Sequence, residues 1–203
     1  AVDFQNAVEE VKLWMNEAED LLQSDDLGKD VESVKSLLKK HNTLETDLVQ
    51  QDGKLVNLKE TCNSFEKENH FAIRMLEKTV TEALQQLEKL QEASGIMKEN
   101  LDDSLVYHNF VKDIHDAILW EKEKIALVSS SEFGKSLVEV QSMMKRHQLL
   151  EADITNHNNI VAMLVEKGEQ LIKANHQQSA EIDQVMKELV ARKDQLRDSS
   201  SIR

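Results

Sequence analysis

A chain of 203 residues with no Pro, five Gly and 31% charged residues has few punctuators, so long helices are the default, and 4% aromatic residues are too few for a strand-built core. Its apolar supply, 40% of the chain and mostly Leu, Val, Ile, Ala and Met, excludes wholesale disorder. A net charge of −13 argues against nucleic acid as a partner and against attachment to anionic lipid, both of which need a basic face.

Apolar residues spaced three and four apart mark packed helices. The first stripe runs through Phe4, Val8, Val11, Trp14, Ala18 and Leu21. A break at Asp25-Asp26-Leu27-Gly28 follows, with Asp25 as the expected N-cap. The second stripe is Val34, Leu37, His41, Leu44, Leu48, Gln51, Leu55, Leu58, Cys62 and Phe65, and the segment from Glu66 to His70 ends it. Leu76, Val80, Ala83, Leu87 and Leu90 form the third. The pattern then passes Gly95, Leu101, Leu105 and His108 into Phe110 without Pro or a Gly–Ser linker, which predicts one continuous helix there.

From Phe110 the pattern starts again. Phe4 recurs as Phe110, Trp14 as Trp120, Gly28 as Gly134, His41 as His147 and Leu44 as Leu150, an ungapped period of 106 residues. The copied stripes are Phe110, Ile114, Ala117, Trp120 and Leu127; then Val140, Met143, His147, Leu150, Ile154, His157, Val161, Leu164, Gly168 and Leu171; then Ile182, Met186, Leu189, Lys193 and Leu196. Ser131 is the expected cap of the middle helix, and the segment from Lys173 to Gln177 is its end.

Three narrow stripes per copy require three helices, so the sequence predicts an all-α chain: two tandem left-handed three-helix coiled-coil bundles, residues 1–105 and 106–203, joined by a continuous helix. The third helix of the second copy stops short of the equivalent of Leu101 and is expected to be truncated. The fragment is expected to be monomeric, because turn signals disfavour a dimer of unbroken helices.

These residues resemble the spectrin repeat, and the resemblance covers the whole chain. It is carried by Trp14 and Trp120, by the turns Asp26-Leu27-Gly28-Lys29-Asp30 and Glu132-Phe133-Gly134-Lys135, and by the strings Leu37-Leu38-Lys39-Lys40-His41 and Met143-Met144-Lys145-Arg146-His147. The 106-residue period resembles α- or β-spectrin most. A helix-C tryptophan common in the family is absent from both copies. The resemblance implies a rod of the actin-crosslinking membrane skeleton at the cytoplasmic face of the plasma membrane. It also implies antiparallel lateral pairing with a partner spectrin chain, and contact with actin and ankyrin through the parent protein. The alternative is a dedicated recognition module of two repeats that binds ankyrin or another adaptor.

Catalytic, phosphate-binding and paired-Cys motifs are missing, so no enzyme, cofactor or metal is expected. No apolar run reaches the roughly 20 residues of a membrane span, and the single cysteine, Cys62, suits a reducing setting. Phe4, Trp14, His41, Leu44, Phe110, Trp120, His147 and Leu150 are expected core anchors, with both His rings bonded to a neighbouring helix. Gly95, Leu101, Leu105, His108 and Phe110 are expected to form the junction between copies. Gly53, Gly95 and Gly168 each interrupt a helix at ~1 kcal/mol relative to Ala. Charge differs between copies: residues 1–105 carry 23 acids and 12 bases, residues 106–203 carry 15 and 13. A solvated surface accounts for most of this; the functional reading is a basic partner on the first copy.

Overall fold

The computed structural model describes residues 2–65, 71–129 and 134–201. Five helices fill them: α1 Val2–Leu22, α2 Val31–Phe65, α3 Phe71–Ser129, α4 Leu137–Lys173 and α5 Ser179–Ser201. The chain divides into two compact units, Ala1–Leu105 and Val106–Arg203, and α3 contributes to both. Among the described residues there is no strand, and no helix is long and apolar enough to cross a membrane.

In unit 1 the core is built from Val11, Met15 and Ala18 of α1, Leu44, Leu48 and Leu55 of α2, and Ala83, Leu87 and Leu90 of α3. Steps of three and four alternate strictly along α1, through Val8, Val11, Met15, Ala18 and Leu22. This phasing corrects the stripe drawn through Leu21, which is 65% exposed, while Leu22 packs on the core. Trp14 lies beside the seam, half-buried against the core, and the enclosed position is that of Met15.

In unit 2 Phe110, Ile114, Ala117 and Ile118 of α3 pack with Val161 and Leu164 of α4 and with Ile182, Met186 and Leu189 of α5. A second cluster joins Val128, Ile154 and Leu196, with Trp120 and Leu150 partly buried against it. The exposed Leu127 again gives way to its neighbour, Val128. Buried residues of α4 begin only at Ile154; Leu137, Val138, Met144 and Leu149 are all exposed.

The helix ends correct the expected caps. Asp30, rather than Asp25, caps α2: its Oδ1 accepts from Ser33 N at 2.7 Å, and Asp30 N donates back to Ser33 Oγ at 3.1 Å. The reciprocal pair is a capping box with Ser in place of Glu. Ser131 lies outside the described residues, and α4 is capped by Ser136, whose Oγ accepts from Glu139 N at 3.3 Å. Both caps stand five residues beyond those expected, and before α2 the turn needs Gly28 first. Its φ of +81° is a left-handed conformation, and a Cβ there would sit 2.6 Å from Val34 Cγ2.

The expected stop at residues 66–70 lies outside the described residues. Its copy is visible after α4, where His176 N donates to Leu171 O and Asn175 N to Ile172 O, with Asn175 at φ 56°. That pairing is a Schellman termination with Asn in the left-handed position. None of Gly53, Gly95 and Gly168 interrupts a helix: α2, α3 and α4 run through them. A Cβ at Gly53 or Gly95 would meet nothing within 4 Å. One at Gly168 would lie 2.1 Å from Met186 Sδ and 2.8 Å from Phe110 Cζ, so glycine is there to admit those side chains.

Candidate functional site

The two copies differ at buried heptad positions that change from neutral to titratable. Met15 of α1 and Gln51 of α2 are buried in unit 1, and the 106-residue offset turns them into Glu121 and His157. Leu87, also buried, becomes Lys193. Glu121 is wholly enclosed at 0% exposure and His157 at 5%. Their side chains meet at 3.0 Å between His157 Nε2 and Glu121 Oε1.

Trp120 covers the imidazole, its ring centre 4.1 Å away and nearly parallel at 18°. Lys124 Nζ lies 5.2 Å from the Trp120 ring centre and 3.9 Å from Asp153 Oδ2. Glu121 Oε2 is buried and has no hydrogen-bond partner among the described residues. Burial pushes the Glu121 carboxyl up to about 7 from 4.5, against the opposing pull of Arg192 and Lys193. Burial also lowers His157 from its ordinary 6.5. Both directions have one cause: enclosure disfavours whichever form is charged.

An open groove of about 660 Å³ lies beside this layer, lined by Trp120, His157, Ile160 and Met163 and by the acids Asp113, Asp116 and Asp153. Each of these acids already has a lysine within 4 Å: Lys167 for Asp113, Lys112 for Asp116 and Lys124 for Asp153. Among the described residues no group of three or more His, Cys, Asp or Glu could hold a metal ion.

The expected anchors divide. Leu44, His41 and Phe110 are buried. His41 Nε2 lies 3.2 Å from Ser94 Oγ of α3, within a network in which Lys98 donates to Glu45 at 3.0 Å. Its copy behaves differently, since His147 is half-buried and its contact is Glu151 of the same helix at 3.4 Å. Phe4, Trp14, Trp120 and Leu150 are also half-buried. The enclosed histidine of unit 2 is His157, ten residues further along α4.

Glu121 escapes a reading that takes only apolar residues into the stripe. Strict alternation from Phe110 through Ile114 and Ala117 lands on it, and that signal was available. Of the expected junction residues, Gly95, Leu101 and Leu105 fall in unit 1, exposed, buried and half-buried respectively. His108 and Phe110 fall in unit 2, where the His108 and Tyr107 rings stand edge-to-face with centres 5.1 Å apart. Tyr107 also stacks on His176 at 6.0 Å. Cys62 is a buried free thiol, pushed up by burial and then by Glu77.

Helices held by heptad seams and duplicated at a fixed period define a tandem three-helix coiled-coil repeat protein. The spectrin repeat family model matches residues 1–103 and again 106–203. The chain belongs to the spectrin repeat family. It is 31% identical over 176 residues, 87% of its length, to the erythrocytic spectrin alpha chain 1 of Mus musculus. The spectrin beta chain of Drosophila melanogaster is 24% identical over 190 residues, 94% of this chain. The erythrocytic spectrin beta chain of Mus musculus is 31% identical over 141 residues, 70% of this chain. Against those relatives the chain spans only 7 to 8% of their length.

Proposed function

We propose that the chain is a structural segment of a cytoskeletal spectrin-like rod, providing length, elasticity and a surface for lateral docking rather than catalysis. The observation that carries the reading is the pair of self-contained cores in one chain, in a family whose matched relatives are spectrin chains. A bundle with its own core can unfold under load and refold while its neighbour stands, since repeat stability is nearly a nearest-neighbour sum. The partners suggested are another spectrin chain at the side, with actin and ankyrin reached through the parent protein, beneath the plasma membrane.

Single-molecule stretching of this chain tests the mechanical reading. Two unfolding events are expected, each releasing roughly 30 nm of extended chain for about 100 residues. A featureless extension at low force overturns it. Docking is tested by pull-down against spectrin-chain and ankyrin fragments at rising salt. Capture of the ankyrin fragment alone would replace the rod reading with a recognition module.

A further inference from the structure

Unit 2 buries two ionisable groups in direct contact where unit 1 buries Met15 and Gln51. We propose that Glu121 and His157 share a single proton, held by the carboxyl in the folded unit and by the imidazole in the unfolded chain, so that unit 2 keeps level stability across mildly acidic pH.

The geometry favours the neutral pair over an ion pair. Glu121 Oε1 lies 3.0 Å from His157 Nε2, a contact that a protonated carboxyl makes by donating to the unprotonated ring nitrogen. The orphan Oε2 is then a carbonyl oxygen instead of part of a carboxylate, and leaving it unpaired costs less. The surroundings disfavour a second cation: Arg192 and Lys193 act on Glu121 from α5, and Lys124 stands near the Trp120 ring. Glu188 is 3.9 Å from Arg192. On the groove side of His157 stand Asp153, Asp113 and Asp116, each with its own lysine.

Proton counting gives the levelling. A carboxyl held above 4.5 contributes stability that is complete below 4.5 and lost as pH rises through about 7. An imidazole held below 6.5 contributes stability that is complete above 6.5 and lost as pH falls beneath it. Below 6.5, over the range in which the lowered imidazole stays neutral in the fold, the unfolded chain carries one proton, on His157, and the folded unit carries one, on Glu121. Equal counts give no slope. Removing either partner leaves the other's slope uncompensated.

Each unit has one tryptophan, so a Trp14→Phe chain reports unit 2 alone through Trp120. In that background the unit 2 melting midpoint should vary little between about pH 5 and 6.5. With His157→Gln it should fall by roughly 10 °C from about pH 5 to pH 8, and with Glu121→Gln it should fall toward acid. Glu121→Met with His157→Gln, which installs the unit 1 residues, should remove both slopes. Identical profiles for the parent and all three variants overturn the proposal. NMR of the unaltered chain decides the matter even where variants fail to fold. A His157 ring neutral at about pH 6 supports the proposal, and a ring titrating above 6.5 shows an ion pair and refutes it.

Discussion

Gly168→Ala asks whether the close approach of Phe110 and Met186 to the α4 backbone matters energetically. Replacing a helical Gly by Ala gains about 1 kcal/mol where space allows. Gly53 and Gly95, where an added Cβ would meet nothing within 4 Å, should deliver that gain. At Gly168 the new methyl would meet Met186 Sδ at 2.1 Å and Phe110 Cζ at 2.8 Å. Met186 can swing its thioether, but Phe110 is fully buried and has little room. Overpacking of this kind costs about 1–3 kcal/mol, so the propensity gain is outweighed and unit 2 should lose about 1 kcal/mol. For a unit of this size the midpoint should drop by about 4–8 °C. Unit 1 suggests the rescue, since the positions of Gly168 and Met186 are there Cys62 and Val80, both buried. Met186→Val should therefore relieve Gly168→Ala, with a coupling of about 1 kcal/mol in a double-mutant cycle. In a Trp14→Phe chain, denaturant unfolding followed by Trp120 fluorescence measures all four corners. A Gly168→Ala chain as stabilised as Gly53→Ala and Gly95→Ala would refute the packing argument.

Met15→Ala should cost unit 1 about 3 kcal/mol by thermal melting, while Leu21→Ala changes it by less than about 0.5 kcal/mol, because only the former is enclosed. Ser136→Ala removes the acceptor for Glu139 N and should cost unit 2 about 1 kcal/mol, read by circular dichroism. Trp120→Ala should cost about 3 kcal/mol, the low end for an aromatic, since the ring is only half-buried; it should also move the His157 imidazole resonances, which the indole now shields.

The element order and the all-helical class follow from the heptad pattern, because three narrow stripes cannot be satisfied by anything but three packed helices, and the duplication follows from residues that recur at an offset of 106. Phasing within a stripe was less legible. Trp14 and Met15 are both large and apolar, as are Leu21 and Leu22, and only consistent alternation of steps distinguishes the seam from its flank. Caps are less legible for a different reason: several Ser and Asp residues crowd each turn, and before α2 the left-handed Gly28 decides which of them can begin the helix. The buried carboxyl was hidden because glutamate at helical spacing ordinarily marks a solvated face. His147 went astray by symmetry, since equal sequence position did not bring equal cover in the two units.

The late start of burial along α4 has a kinetic counterpart. From Leu137 to Asp153 the helix has no enclosed side chain, so its amides are protected mainly by their own i to i−4 bonds and the Ser136 cap. A helix held that way frays from its first turn, and amide exchange should slow stepwise toward Ile154 and then sharply beyond it. Unit 2 thus has a built-in order of opening, a peeling edge at one end and a locked seam at the other. Unit 1 begins its matching helix with Val34 already sealed at 0% exposure and has no such edge.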